Sequence, residues 1–379
     1  MNNKIFNLFD YIYWRGDIPF AKQRFNPLDN IVFSMLSYLQ FDNIVKPDFD
    51  KKNHVTLEEA IQEMEKRFYN DPYYFDYPVG LTEYQHDFVY ALSGAARYKN
   101  TRLSAYINLY DKEREAQFSA ITFFPEGSPA YIAFRGTDST LIGWKEDFNM
   151  ALENVIPAQM EAKKYLQNAA CFIHKNFYTG GHSKGGNLAV YAASECGHKI
   201  QKRIITVYNN DGPGFAAGFL QKEGYRMIQD RIEAYLPESS LFGLLFEHDY
   251  KLNIVKSNAG GIAQHAPYTW LVKPDNFVYA ECLNPKAVNF NKTIMSWIYG
   301  MEIPEREHFI ETLYSAVTQA NINSVPEFIE NWLKNTAQIF SSIIKLDADS
   351  KKNLVQSIVG FITALKKHSV SVTETGSAN

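Results

Sequence analysis

The residues with the clearest chemical potential form the pentapeptide Gly181-His182-Ser183-Lys184-Gly185, flanked by Gly180 and Gly186. This is the G-x-S-x-G pattern of a nucleophile elbow, in which a serine on a tight strand-to-helix turn projects its hydroxyl from a sheet. The glycines are a steric requirement, because the serine adopts an unfavourable backbone conformation and the neighbouring chain passes without room for Cβ atoms. The pattern predicts a nucleophilic serine at position 183.

The flanking segments favour this interpretation over an ordinary glycine-rich turn. Phe177-Tyr178-Thr179 is typical of a short buried strand, and Asn187 to Ser194 is typical of a helix whose small residues pack closely on a sheet. A bare G-x-S-x-G pattern is weak evidence, so the prediction depends on these flanks.

A serine hydroxyl needs a base to take its proton and an acid to orient that base. In elbow enzymes the chain order is serine, acid, histidine, which excludes the four histidines before or inside the elbow. Five histidines follow it: His198, His248, His265, His308 and His368. We favour His265 because it lies in a glycine-rich loop closed by Pro267, just after a predicted strand over Lys251 to Lys256. His248 is the alternative base.

The acid has two main candidates. Asp211 follows a predicted strand over Arg203 to Tyr208, at the strand end where open α/β sheets bind ligands. Glu238 follows a second predicted strand over Arg231 to Leu236, and Asp249 is a weaker candidate. We place Asp211 first, although an aspartate there also suits the N-cap of a following helix.

An oxyanion hole needs preorganised donors. One is the backbone N–H of Lys184, the residue after the predicted nucleophile. For the other we expect Thr137, whose N–H and hydroxyl can both donate, because it follows a predicted strand over Ala130 to Phe134 and the flexible Gly136. The alternative is an ordinary turn in which Thr137 and Asp138 cap the next segment.

These segments resemble the class-three triacylglycerol lipases. The resemblance is carried by Phe134 to Asp138, by Gly143 to Phe148 and by the elbow. It implies an oxyanion-hole role for Thr137. Those lipases also carry a Trp and an Asp soon after that position, which Trp144 and Asp147 match.

A bacterial α/β-hydrolase family related to these lipases is similar over roughly residues 5–285. That similarity is carried by Tyr11 to Asp17, Lys184 in the elbow, Asp211 to Gly214, and Gln264-His265. It implies an esterase- or lipase-like activity. Class-three lipases take the acid from the end of the later strand, which corresponds to Glu238. Pancreatic-type lipases take it from the end of the earlier strand, which corresponds to Asp211.

Lys184 departs from the apolar or amide side chain usual in lipases. The backbone N–H serves the oxyanion with any side chain, so the simplest expectation is that the ammonium has no role. A sharper hypothesis is that it contacts an anionic group of the substrate.

Composition sets the broad class. The chain of 379 residues is 46% hydrophobic and 21% charged, which excludes a disordered protein. A net charge of −4 gives no footprint for nucleic acid. Three cysteines, without close spacing, argue against a disulfide framework and a zinc site.

The first ten residues have no sustained apolar core and no long apolar run follows, so we expect a cytoplasmic protein without a signal peptide.

We therefore predict an α/β-hydrolase fold, with a mostly parallel central sheet flanked by helices. Residues 1–75 form a helical N-terminal segment that begins a helix after Thr56, residues 76–285 form the core, and residues 286–379 form a C-terminal helical appendage with a frayed tail. The strands on either side of Pro125 to Pro129 should form a hairpin, and the strands from the elbow onward should be parallel.

The predicted function is cleavage of carboxylic esters, either small or lipid, through an acyl-enzyme intermediate without a cofactor. A thioesterase, acyltransferase or peptidase would use the same triad, so these alternatives stay open. A non-catalytic binding module and a peripheral membrane protein with docking aromatic helices also stay open. The sequence leaves the oligomeric state undetermined.

Overall fold

The computed structural model describes residues 5–50, 54–71, 82–114, 116–138, 141–150, 152, 155–216, 218–319, 359, 360 and 363. The predicted C-terminal appendage is therefore described only over its first helices, and most of residues 320–379 lie outside the described part of the chain.

An eight-stranded sheet forms the centre of the protein, with its strands in chain order. The strands are β1 (Val55–Thr56), β2 (Arg102–Asp111), β3 (Ala116–Phe124), β4 (Ala130–Phe134), β5 (Phe177–His182), β6 (Ile204–Asn210), β7 (Ile232–Pro237) and β8 (Leu252–Val255). Pairs from β1 to β4 are antiparallel, and pairs from β4 to β8 are parallel. The predicted hairpin and the parallel arrangement from the elbow onward are confirmed.

Helices lie on both faces of this sheet. They are α1 (Leu8–Arg15), α2 (Pro27–Leu36), α3 (Leu57–Asn70), α4 (Thr82–Ser93), α5 (Ala96–Lys99), α6 (Leu141–Asn149), α7 (Pro157–Phe172), α8 (Lys184–Glu195), α9 (His198–Gln201), α10 (Glu223–Ile228), α11 (Pro285–Tyr299) and α12 (Ile303–Gln319). The predicted N-cap at Thr56 is confirmed, because its side chain accepts from the Glu59 N–H in a capping box.

The core is divided by the sheet, as the alternating side chains of a strand require. Along β4, Ile132 and Phe134 pack in the cluster that contains α7 and α8. Tyr131 and Ala133 face the other way, into the cluster that contains α1 to α4. The sheet is thus a rigid, two-sided support for the loops at the carboxyl ends of β4 to β8, an α/β arrangement.

In the described part of the chain, no helix combines the length and apolar character needed to cross a membrane.

Candidate active site

Ser183 occupies the junction between β5 and α8. Its backbone has φ 57° and ψ −135°, a conformation that side-chain-bearing residues rarely adopt and that costs about 1–3 kcal/mol. Two hydrogen bonds hold the turn: the Ser183 N–H donates to the Asn210 carbonyl at 2.9 Å, and the Gly186 N–H donates to the Ser183 carbonyl at 2.9 Å. The strain is therefore maintained by the neighbouring strand and by the first turn of α8.

The glycines of the elbow are required because the backbone of the turn passes very close to β4. A Cβ at Gly181 would lie 2.4 Å from the Phe134 carbonyl oxygen, and one at Gly185 would lie 2.1 Å from the same atom. A Cβ at Gly136 would lie 3.1 Å from the Ser183 Cβ. The loop after β4 therefore passes directly beside the serine, as the sequence predicts for an oxyanion loop.

Asp211 and His265 lie together in the structure. Asp211 comes one residue after β6, at φ 53°, with its N–H bonded to the Tyr235 carbonyl at 2.8 Å. Its Oδ2 accepts from His265 Nδ1 at 2.6 Å. The Asp211 side chain is fully buried, whereas 23% of the His265 side chain is exposed. A neutral imidazole that donates from Nδ1 keeps its lone pair on Nε2, the atom that a base uses.

Ser240 is a site residue that the sequence analysis missed. Its hydroxyl donates to Asp211 Oδ1, and the same hydroxyl oxygen accepts from the Gly243 N–H at 3.0 Å. Both carboxylate oxygens of Asp211 are therefore occupied, which fixes the carboxylate plane for His265. A serine two residues after Glu238, in a loop that the sequence analysis considered only for its acid, gave no local signal for this contact.

The alternative acid and base do not join this pair. Within the described residues, Glu238 has hydrogen bonds through its backbone, to the Val255 carbonyl and from the Asn284 N–H, and none through its carboxylate. His248 packs against the Tyr250 ring, with 5.7 Å between ring centroids. Burial lowers the pKa of His248 below its ordinary value. The structure thus brings Asp211 together with His265, and within its described residues neither Glu238 nor His248 forms a hydrogen bond or ion pair with either of them.

His182, inside the elbow, is buried between two further groups. Its Nε2 lies 2.8 Å from the His265 carbonyl oxygen, and its Nδ1 lies 2.9 Å from the Tyr38 hydroxyl. Burial, and secondarily His265, hold the pKa of His182 well below its usual range, so the ring is neutral. Because a carbonyl only accepts, Nε2 carries the proton and Nδ1 accepts from Tyr38.

Thr137 lies in the loop after β4, but its hydroxyl is directed at a carboxylate. It donates to Asp147 on α6, with 2.6 and 2.8 Å to the two carboxylate oxygens. The expectation that both the N–H and the hydroxyl of Thr137 serve an oxyanion is therefore revised: the hydroxyl anchors the loop, and the N–H remains the candidate donor. The Trp144 side chain lies outside the described residues.

The Lys184 side chain points into the protein and is 2% exposed. Its Nζ lies 2.8 Å from Glu146 Oε2 and 3.1 Å from Gln117 Oε1. The hypothesis that this ammonium contacts an anionic substrate is wrong, because the group is buried and paired. The sequence pattern gave no sign of Glu146, which lies 38 residues away along the chain.

No group of three or more histidine, cysteine, aspartate or glutamate side chains is arranged to hold a metal ion in the part of the chain that the structure describes.

A family model matches residues 92–315, more than half of the chain, and the match spans the elbow, Asp211 and His265. The chain belongs to the Mbeg1-like family. Among solved structures, the crystal structure of M37 lipase is similar at 14% sequence identity with a TM-score of 0.35; the match covers 57% of this chain and 68% of the lipase chain. No curated protein matches this member of the Mbeg1-like family.

Proposed function

We propose that this protein is a serine hydrolase of the α/β-hydrolase fold that cleaves carboxylic esters, with Ser183 as nucleophile, His265 as base and Asp211 as acid. One observation carries the proposal: the 2.6 Å pair of His265 and Asp211 is anchored to the elbow through the bond from His182 to the His265 carbonyl. A strained serine, a histidine and a buried aspartate in that chain order are the parts of a triad.

In the first step, Ser183 Oγ attacks the ester carbonyl while His265 Nε2 takes its proton. Asp211 holds the imidazole in the tautomer with Nδ1 protonated and stabilises the imidazolium that forms. The imidazolium then gives its proton to the departing alcohol, and an acyl-enzyme remains on Ser183. The Ser240 hydroxyl holds the Asp211 carboxylate, and the bond from the Asp211 N–H to the Tyr235 carbonyl holds its backbone. The pair of Asp211 and His265 therefore needs little rearrangement during the reaction.

The oxyanion of the tetrahedral intermediate is stabilised by the backbone N–H groups of Lys184 and Thr137. Lys184 is the first residue of the twelve-residue helix α8, so its N–H belongs to the positive end of the helix dipole. Thr137 supplies its N–H from a loop fixed by the bond to Asp147. Each donor is worth about 3 kcal/mol at the transition state. Water activated by His265 then releases the acid, and this scheme requires no cofactor.

The surroundings of His265 suit an apolar acyl group. The Phe242 ring lies 4.4 Å from the His265 ring, centroid to centroid. Ile262, in the same turn as His265, is 61% exposed. Apolar side chains beside the base favour an ester with a hydrocarbon chain, and an exposed isoleucine at the rim is compatible with peripheral contact to a lipid surface.

A series of p-nitrophenyl esters of increasing acyl length tests this function. We expect hydrolysis by the wild type and none above background by Ser183→Ala. The matched control is Ser194→Ala, since Ser194 lies on the same helix and, among the described residues, its hydroxyl bonds only to the Val190 carbonyl, at 2.8 Å. Equal activity of wild type and Ser183→Ala, or inactivity of a folded wild type toward every ester, would contradict the proposal.

A further inference from the structure

Lys184, the residue after the proposed nucleophile, has a buried ammonium group inside the protein. The Lys184 Nζ contacts Glu146 at 2.8 Å, Gln117 Oε1 at 3.1 Å and the Gln117 carbonyl at 3.3 Å. Glu146 is fully buried, and its two oxygens also accept from the Gln117 and Ala158 N–H groups, at 3.2 and 3.0 Å. A charge buried this deeply persists only when it is paired, so Lys184 and Glu146 depend on each other.

The same ammonium also reaches the next residue of α6. The distance from Lys184 Nζ to Asp147 Oδ1 is 3.6 Å, and Asp147 accepts the Thr137 hydroxyl bond at 2.6 Å. A continuous chain of contacts therefore runs from the residue after Ser183, through Asp147, to the loop that carries the second oxyanion donor. Hydrogen bonds to an ionised carboxylate are roughly twice as strong as neutral ones, so the charge of Asp147 decides how firmly Thr137 is held.

We propose that the Lys184 side chain is a positioning residue, which keeps Asp147 ionised and directed at the Thr137 hydroxyl and so fixes the oxyanion loop against the elbow. This role rests on the proposed function, because it acts on the oxyanion donors of that reaction. It gives the lysine of the elbow a task distinct from its backbone N–H and explains why a buried cation stands beside the nucleophile.

Among the charged groups near Asp147, Lys184 is the main cation that acts on its carboxylate. Glu146 lies beside it on α6, Lys184 reaches it from α8, and the loop after β4 contributes Asp138 and Arg135, which lie 3.6 Å apart. Helix α12 packs on α6 and brings Glu311, which pairs with Lys145 at 2.6 Å.

Titration supports the same assignment. Although 37% of its side chain is exposed, Asp147 loses enough hydration among the surrounding protein groups to raise its pKa to about 6, while Lys184 is the main influence that lowers it. Burial alone would lower the pKa of Lys184, but Glu146 and Asp147 raise it, so the ammonium stays charged. Loss of the Lys184 ammonium should therefore raise the pKa of Asp147 further.

The test compares Lys184→Met with the double variant Lys184→Met/Glu146→Gln, which removes the cation without leaving Glu146 as an unpaired buried charge. Lys145→Met is the matched control, because it removes another buried cation, from α6 itself. Two quantities are followed with pH: the ¹³C shift of the Asp147 carboxyl in aspartate-labelled protein, and kcat on the best p-nitrophenyl ester.

We expect the Asp147 titration to move upward by about 1–3 pH units in Lys184→Met, with the acid limb of kcat following it and KM nearly constant. The rise should be smaller in the double variant, because that variant also loses the Glu146 charge, which raises the pKa of Asp147. Lys145→Met should titrate as the wild type does. An unchanged Asp147 titration in a folded Lys184 variant would overturn the proposal. If neither variant folds, an Asp147 that stays protonated throughout the neutral range in the wild type would overturn it as well, whereas ionisation near pH 6 would support it.

The carboxyl shift is measured without substrate. Protein that is inert toward esters yet shows the upward shift would therefore contradict the proposed function while leaving the coupling of Lys184 to Asp147 intact.

Discussion

The Nε2 atom of His182 donates a hydrogen bond to the backbone carbonyl of His265 across 2.8 Å. The residue before the proposed nucleophile thus holds the loop of the proposed base, and the two imidazole rings lie 4.5 Å apart, centroid to centroid. The other nitrogen of His182 accepts from Tyr38, which follows α2. The position of the proposed base therefore depends on a buried neutral histidine, His182, that takes no proton in the proposed reaction.

Replacing His182 with phenylalanine keeps the ring and removes both hydrogen bonds. We expect the unfolding free energy to fall by about 1–3 kcal/mol, because the buried Tyr38 hydroxyl loses its main acceptor. We also expect kcat/KM to fall about 100-fold, because the His265 loop loses its anchor to the elbow.

Urea denaturation and ester hydrolysis measure the two effects. His174→Phe makes the same chemical change at an exposed position and should alter neither. A fully active, equally stable His182→Phe protein would show that this contact does not position the base.

The choice of acid is tested by two isosteric substitutions. Asp211→Asn should lower kcat by about 10⁴-fold, since an amide cannot hold the imidazole in the productive tautomer or stabilise its charged form. Glu238→Gln should remain close to the wild-type rate, because the Glu238 carboxylate is not bonded to His265. Parallel kcat measurements decide the matter: a large loss in Glu238→Gln together with a small one in Asp211→Asn would reverse the assignment.

Gly185→Ala should disrupt the elbow. The added Cβ would meet the Phe134 carbonyl oxygen at 2.1 Å and the Arg135 carbonyl carbon at 2.9 Å, both of them backbone atoms. We expect a loss of at least about 1–3 kcal/mol in the unfolding free energy, together with loss of ester hydrolysis. Gly94→Ala is the control, because a Cβ at Gly94 meets nothing within 4 Å. Equal effects of the two changes in thermal unfolding would contradict the close approach of β4 to the elbow.

The ionised carboxylate of Asp147 should lower the stability of the folded protein and support its activity. Its pKa of about 6 lies above the ordinary value of 3.8, so its ionised form opposes folding at neutral pH and this penalty is relieved as the pH falls through 6. Asp147→Asn should therefore be more stable than the wild type at about pH 8 and lose that advantage by about pH 4. The difference will be modest, because the side chain is 37% exposed and water screens it.

Thermal unfolding across this pH range, with ester hydrolysis measured alongside, tests the direction of the effect on stability and of the effect on activity. We expect Asp147→Asn to be the less active protein at neutral pH, since Thr137 loses its charged acceptor. An Asp147→Asn protein that is less stable than the wild type at pH 8, with the gap closing as the pH falls, would contradict the raised pKa.

Much of the architecture could be predicted because its signals are local. The glycines around Ser183 report a strained turn within five residues, and the strand before it and the helix after it follow from short periodic segments. The strand ends that carry Asp211 and His265 could be placed in the same way, since parallel strands deliver their following loops to one edge of a sheet.

The contacts made by long-range packing could not be predicted. The lysine of the elbow showed no sign of pairing with Glu146, because nothing in the sequence fixes how α6 lies against β3 and α8. The Thr137 hydroxyl has two chemically plausible acceptors, an oxyanion and Asp147, and only the tertiary arrangement selects Asp147. Ser240 likewise becomes a partner of Asp211 only through the course of the loop after β7.

The most direct test of the central claim is covalent labelling with a fluorophosphonate probe, followed by intact-mass analysis and peptide mapping. The compared proteins are the wild type, Ser183→Ala and His265→Ala, each verified as folded. We predict one adduct on Ser183 in the wild type, no adduct in Ser183→Ala, and strongly reduced labelling in His265→Ala. An unlabelled wild type, or an adduct on any other residue, would contradict the assignment of Ser183 as an activated nucleophile.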